Sequence, residues 1–390
     1  MTDPAPTLQP EHVDLSQADD PRDVVHRAVA CLAGGGVVGL PTGAGYALAA
    51  SALLPEALRR IGSALATAPT PGGPAPALRI CLRSGGELPD WATEAPRSAR
   101  RLASRAWPGP LVLRLSQGVD AGLAGRLPEG SRSALVGPDG SIALCCPDHP
   151  FIEHLTRLLA GPIALACPTG PDGKPVASAP ALAALSSPAL LVDDGPPYDP
   201  AGPTVLAFEA DADTGVDAFQ VLRPGPYDDR TLRQLSSTIV LFVCTGNTCR
   251  SPMAEALFRA MLADRLGCPP EDLESRGWLV LSAGLSAAHG SPAAANAAEV
   301  VRALGGSLAS HSSRRLTPEL VRAADHLVVM TRDHLDSLLH HAPDCAPRAR
   351  LLDPEGFDID DPVGLDLATY RATAESIRRH LAPLLDELAP

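Results

Sequence analysis

Residues 239–253 read IVLFVCTGNTCRSPM, an unbroken apolar run, then a small and polar stretch, then the opening of a helix. Few folds accommodate such a segment. An apolar run without alternation needs burial on both faces, which a central strand of a parallel sheet provides. A polar loop leaving that strand at its carboxyl end and entering a helix is the ligand-bearing connection of a doubly wound α/β sheet. Pro252 suits the first turn of the helix, where no amide donor is needed. Between strand and helix lies Cys244-Thr-Gly-Asn-Thr-Cys-Arg250, a loop that can turn its backbone N–H groups inward around an anion. The positive end of the helix dipole adds to that field. Gly246 is expected to take backbone geometry closed to residues with a Cβ, and Asn247 a left-handed conformation.

The chemistry follows from three side chains. Arg250 offers a planar fork for two oxygens of a phosphate. Cys244, facing the same field, is the candidate nucleophile. Ser251 is placed to donate a hydrogen bond to its sulfur, while Thr245, Thr248 and Cys249 complete the loop. A bare Cys-x5-Arg pattern is weak, arising roughly 0.7 times by chance in a chain of this composition. The strand before it and the Gly-Asn, Ser-Pro and helix around it raise the signal well above that.

Strands alternate with helices on both sides of the loop. Downstream, strands are expected at 238–243, 278–282 and 326–330 and helices at 252–266, 292–304 and 368–388, a doubly wound parallel sheet over 238–390. Upstream, apolar runs at 77–82, 111–115, 142–146, 163–166 and 189–192 imply a second α/β domain over 22–228. Residues 1–21 read as a loose polar tail, 67–77 as a loop, and the boundary falls near 228–237.

Composition excludes several classes. The net charge of −13 is shared between 1–237 (−7) and 238–390 (−6), so neither half has the basic excess of a general nucleic-acid binder. Nine cysteines at irregular spacing, without a Cys-x-x-Cys pair or a signal peptide, argue against structural metal and for a reducing, cytoplasmic setting. No apolar run is long enough for a bilayer.

The stretch VCTGNTCRSPMAEALF resembles the phosphate loop of the low-molecular-weight protein tyrosine phosphatase family. The resemblance continues through SAGLSAAHGSPAAANAAEVVRALG, HSSRRLTPELVRAADHLVVMTRDH and DIDDPVG. It implies a phosphatase that needs no cofactor or metal and acts on phosphorylated proteins. Cys244 would attack phosphorus to give a phosphocysteine, Arg250 and the loop amides would hold the equatorial oxygens, and an acid would protonate the leaving group and then activate water. From the residues alone Asp358, Asp360 and Asp361 compete for that last role; the family's Asp-Pro signature singles out Asp361. Thr248 stands where tyrosine-specific members carry a bulky aliphatic residue, and Val363-Gly364 where they carry aromatics. This pair of features is similar to the protein-arginine-phosphatase branch and implies phosphoarginine as substrate, with phosphotyrosine the alternative. Val363 departs from that branch, which keeps an aromatic there. Arsenate reductases use the same loop but need resolving cysteines in mid-domain, where this chain has only Cys268. Cys249 is spaced for a reversible disulfide with Cys244.

Residues 23–226 resemble the Sua5/YrdC family, which makes threonylcarbamoyl-adenylate for tRNA modification. The resemblance lies in GGGVVGLPTGAGYAL, LASRAWPGPLVLRL, IALCCPDHPF, LLVDDG, GPTVL and VLRPGPY, and it implies a twisted, open α/β sheet. An active domain would take ATP, threonine and bicarbonate, and double-stranded RNA binding comes with the family. The chain departs from the family where ATP is held. Pro-Thr-Asp-Thr-x-Tyr-Gly has become Pro41-Thr-Gly43-Ala-Gly-Tyr46-Ala47, and the Lys-x-Arg pair is missing from 63–74. The arginine within VRVPDHP is lost at Cys145-Cys146-Pro147, and Ser-Ala-Asn has become Pro168-Thr169-Gly170. Without cations to meet a triphosphate, the domain is expected to be catalytically degenerate and kept for packing, ligand sensing or partner recruitment. Arg97, Arg100, Arg101 and Arg105 form a candidate RNA contact, at a spacing that is also that of one solvated helix face.

Overall fold

The computed structural model describes residues 11–66, 78–170, 173–199, 201–208 and 219–389. Contacts divide the chain into two compact units, Met1–Leu235 and Ser236–Pro390. The loop read at 67–77, the first ten residues of the expected tail and most of the 63–74 stretch lie outside the described residues.

In the first unit the described strands form one mixed sheet. They are β1 (Glu11–Asp14), β2 (Val38–Pro41), β3 (Tyr46–Ser51), β4 (Arg79–Cys81), β5 (Leu111–Leu115), β6 (Ile142–Cys145), β7 (Ile163–Ala166), β8 (Leu190–Asp193), β9 (Thr204–Phe208) and β10 (Phe219–Arg223). Their order is β1-β8-β2-β3-β7-β4-β6-β5-β9-β10. β1 corrects the expectation of a loose tail over 1–21. It pairs in parallel with β8, placing Val13 beside Val192, and Val13 finds apolar cover against a core that includes Val24 and Leu32. One face of the sheet packs Leu48, Ile80 and Leu113 against Leu58, Ile61 and Leu102 of the helices Pro55–Ala66 and Arg97–Ala106. On the other face the helices Pro21–Ala33 and Pro150–Leu158 bury Val25, Leu32, Phe151 and Leu155.

The second unit is the doubly wound sheet its alternation implies. β11 (Thr238–Cys244), β12 (Trp278–Gly284), β13 (His326–Val329) and β14 (Ala349–Leu351) run parallel in the order β12-β11-β13-β14. Every residue from Ile239 to Cys244 is buried, because helices cover both faces. Val240 and Phe242 meet Met253, Phe258 and Ile377 from the helices Arg250–Leu266 and Leu367–Leu388. Leu241 and Val243 meet Val321 and Leu338 from Pro318–Ala323 and Arg332–His341. Burying Phe258 contributes about 1.5–3 kcal/mol, and its edge contact with Phe242, at 5.6 Å between ring centres, adds about 0.5–1.5 kcal/mol. The chain leaves β11 to one side for β12 and returns to the other for β13. The loop after β11 therefore opens at the point where strand order reverses.

Candidate active site

Cys244 ends β11 opposite Gly284 of β12. A Cβ on Gly284 would stand 2.6 Å from Thr245 O and 3.0 Å from Asn247 N, so a glycine is needed for the loop to pass this close to the neighbouring strand. Within the loop the left-handed position is Asn247, at φ 53°. Gly246 departs from expectation: it is not left-handed, and a Cβ there would meet nothing nearer than Thr248 Oγ1 at 3.7 Å. Asn247 can hold the strained position because its fully buried side chain is pinned. Its Nδ2 donates to Ser251 Oγ at 3.0 Å and Ser282 Oγ at 2.8 Å, and its Oδ1 accepts from Arg314 N at 2.9 Å. His311 Nε2 lies 2.9 Å from the Asn247 carbonyl, and Ser282 in turn donates to Glu255 at 2.6 Å. Buried polar groups satisfied this completely hold a geometry rigidly.

The sulfur sits at the centre of this frame. Cys244 Sγ lies 2.9 Å from Ser251 Oγ and accepts the Asn247 N–H at 3.3 Å. The Ser251 hydroxyl has a second acceptor in Ala283 O, at the longer distance of 3.3 Å. Arg250 is buried, with Nη1 donating to Ile359 O at 3.2 Å and Nη2 paired to Asp361 Oδ2 at 2.5 Å. Asp361 itself is 41% exposed and so stands between the loop and solvent. Of its acidic neighbours, Asp358 accepts from Arg332 N at 2.7 Å, and Asp360 forms no hydrogen bond with the loop among the described residues. The candidate nucleophile Cys244, the cation Arg250 and the Asp-Pro carboxylate are thus brought to one loop.

The remaining loop residues divide. Thr248 is half-buried, its hydroxyl 3.7 Å from Cys249 Sγ. Val363 is 62% exposed and meets the site through its N–H, which donates to Asp361 Oδ1 at 3.2 Å. Its side chain makes no wall for a ring. Cys244 and Cys249 are both free thiols, and Cys249 lies 3.2 Å from Tyr370 Oη; burial and that thiol push the Tyr370 hydroxyl up. Thr245 Oγ1 is 2.8 Å from His334 Nε2, and His334 Nδ1 is 2.8 Å from Thr331 Oγ1. Burial, then the charge of Arg250, hold His334 below the ordinary histidine range and keep it neutral. Nothing in the sequence singles out Ser282, His311 or His334, although each lies in a stretch that carries the resemblance; Tyr370 has no signal at all. Among the described residues no cluster of metal-ligating side chains occurs, and no helix is long and apolar enough to cross a membrane.

In the first unit the motif residues mostly serve the fold. Tyr46 Oη reaches Asp193 Oδ1 and Gly195 O, each at 2.7 Å, and accepts from Asp194 N at 3.1 Å. His149 caps the helix Pro150–Leu158 through Nδ1 and holds Asp194 through Nε2 at 3.1 Å. Cys146 is buried, which pushes its thiol up to about 12. In the arginine cluster, Arg100 donates to Ala95 O and Thr93 O at 2.9 Å, and Arg105 to Leu235 O at 2.8 Å, so at least two of the four guanidiniums bind the protein's own backbone.

Residues 239–390 match the family model described as low molecular weight phosphotyrosine protein phosphatase, and residues 30–225 match the Sua5/YciO/YrdC model, described as telomere recombination. A protein-arginine-phosphatase of Geobacillus stearothermophilus is 36% identical over 154 residues, spanning 38% of this chain and 93% of that protein. A probable low molecular weight protein-tyrosine-phosphatase, EpsP, of Ralstonia nicotianae is 36% identical over 141 residues, spanning 36% of this chain and 88% of that protein. Among solved structures, the YwlE arginine phosphatase from Geobacillus stearothermophilus shares 34% identity over 39% of this chain and 92% of its own, with a TM-score of 0.34.

Proposed function

This chain belongs to the low molecular weight phosphotyrosine protein phosphatase family through residues 239–390 and to the Sua5/YrdC family through residues 30–225, and on that premise we propose that it is a cysteine-dependent protein phosphatase with a preference for phosphoarginine. The observation that carries this reading is the Cys244 sulfur held by Asn247 N and Ser251 Oγ, with Arg250 beside it and paired to Asp361. In the first step Cys244 Sγ attacks phosphorus. The S–P bond forms as the P–N bond breaks, and Asp361 delivers its proton to the departing guanidine. Asp361 then takes a proton from water, which attacks the phosphocysteine; the S–P bond breaks and inorganic phosphate leaves. Arg250 turns from Asp361 to the equatorial oxygens and, with the inward amides, meets their charge.

Thr248 and Val363 support the choice of phosphoarginine. A guanidinium is flat and hydrophilic, and Thr248 gives it a polar neighbour beside the phosphate while Asp361 pairs with its developing charge. A phenol ring wants apolar walls, and Val363 turns to solvent. The test compares kcat/KM for phosphoarginine and phosphotyrosine substrates. The unmodified chain should favour phosphoarginine, and Thr248→Ile should shift the ratio towards phosphotyrosine by roughly 10–200-fold. A preference for phosphotyrosine in the unmodified chain, or an unmoved ratio in the variant, would leave a phosphatase without the arginine assignment.

A further inference from the structure

The first unit holds a cavity that phosphatase chemistry does not use. Its described lining includes Arg79, Val112, Cys145, Leu165, Cys167 and Arg223, and no carboxylate. Arg223 ends β10, and its Nε and Nη2 are shut off from solvent with no hydrogen-bond partner among the described residues. The guanidinium lies against Gly202 so closely that a Cβ there would stand 2.2 Å from Nη2 and 2.4 Å from Pro175 Cγ. A buried cation with nothing to pair with is costly, and here a second one lies close by. Arg79 sits on β4, in parallel register with Ala143 of β6, two residues before the pairing of Cys81 with Cys145. Arg79, Cys81 and Cys145 therefore share one face of the sheet. Cys145 is where the Sua5/YrdC pattern carries an arginine, so a cation lost from β6 is supplied by its neighbour β4. Burial, then the charge of Arg79, lower the pKa of Arg223, as expected of two guanidiniums sharing a site without a counter-charge among the described residues.

We propose that this cavity binds one small oxyanion, a phosphate group or a compact carboxylate, held between Arg79 and Arg223. Size sets the class. The cavity measures about 30 Å³, room for a few heavy atoms, whereas sites for drug-sized ligands run to roughly 300–1,000 Å³. The apolar side of the lining, Val112 and Leu165, faces whatever small body carries the anion. The site is thus a remnant with altered cations, suited to sensing a small anion and not to holding a triphosphate.

Cys167 lines the cavity and is half-buried, which gives a reading specific to this unit. In the full chain, alkylation of each thiol by the neutral reagent iodoacetamide is followed by peptide mass spectrometry. Inorganic phosphate, acetate and ATP serve as probes, and Cys31, outside the cavity lining, is the control. At ten times its Kd the bound anion should slow alkylation of Cys167 about tenfold while Cys31 is unchanged; whether phosphate or acetate protects identifies the source of the oxyanion. Arg223→Met and Arg79→Met should each abolish protection while leaving the Cys31 rate and the hydrolysis of p-nitrophenyl phosphate intact. Equilibrium dialysis with the labelled anion provides a second reading, one more equivalent bound by the unmodified chain than by Arg223→Met. Equal binding in the dialysis overturns the proposal, as does protection that persists in both variants. Protection by ATP where both small anions fail overturns it too.

Discussion

Both units place polar side chains at the ends of sheet strands, but their hydrogen bonds lead to opposite results. In the second unit Asn247, Ser282, Glu255, Arg314 and His311 satisfy one another around the loop, leaving the Cys244 sulfur and an Arg250 fork whose carboxylate partner, Asp361, is itself partly exposed. In the first unit the motif residues close on themselves. Tyr46 is consumed by Asp193 and Gly195, and His149 by Asp194; the Nε and Nη2 of Arg223 have no hydrogen-bond partner among the described residues. The difference shows that a reactive site is made by its supports. Where the supporting shell is satisfied and one reactive group is left over, chemistry follows; where the candidate groups satisfy each other, the result is a scaffold with room for a ligand.

The contrast breaks most visibly at the nucleophile. Cys244→Ser should lower turnover of an aryl phosphate by on the order of 10⁵-fold or more while retaining vanadate binding, because Arg250 and the Asn247 amide remain. Cys145→Ser in the first unit should leave turnover unchanged. Near-normal rates in Cys244→Ser would remove the second unit's claim to a nucleophile.

Next in size is the acid. Asp361→Asn should cost roughly 10²–10⁴-fold on a substrate with a poor leaving group and far less on an activated aryl phosphate. Equal losses on both would make Asp361 a partner that positions Arg250 and not a proton donor.

A smaller effect concerns His334, which the fold keeps neutral between Thr245 and Thr331. Below the ordinary histidine range the unfolded chain takes up a proton that the folded His334 resists. The unfolded state then binds more protons, and stability falls with falling pH. Thermal unfolding between about pH 7.5 and 5 should show this slope, and His334→Gln should flatten it. An unchanged slope would mean that His334 does not set the pH response of the loop.

The smallest expected signal is none at all. The chain should release no pyrophosphate from ATP in the presence of threonine and bicarbonate, since the basic pair and the Ser-Ala-Asn signature are absent. Threonine-dependent release would make both units enzymes and erase the comparison.

How much of this is legible in the sequence depends on how local the cause is. β11 is legible because burial on both faces writes itself as an unbroken apolar run, and the loop because its residues are contiguous. β3, YALAAS, is buried on every residue but is rich in alanine, a residue with little strand preference, and β1 exists because β8 offers it an edge. The frame around the sulfur is the least legible part. Ser282 lies 35 residues from Asn247, His334 lies 89 from Thr245, and Tyr370 lies 121 from Cys249, so only folding brings them together. Gly246 shows the same limit in one residue. The left-handed conformation expected of Asn247 is there, held by the buried Ser251 and Ser282 and by Arg314 N, but the special geometry expected of Gly246 is not, because the pinned Asn247 makes the turn by itself.

One consequence of the Arg250–Asp361 pair concerns which anions can enter. The guanidinium already has a carboxylate, so an incoming group gains only the difference between its own bond to Arg250 and the bond it displaces. A singly charged, poorly directed anion such as chloride gains little from that exchange, whereas a tetrahedral dianion can take the fork and the ring of amides together. Selection is by substitution, with Asp361, the proposed acid, as the resident competitor. On the proposed mechanism the displaced carboxylate, no longer held ionised by the guanidinium and open to solvent, takes up the proton it must deliver, so occupancy by the right anion also readies the acid.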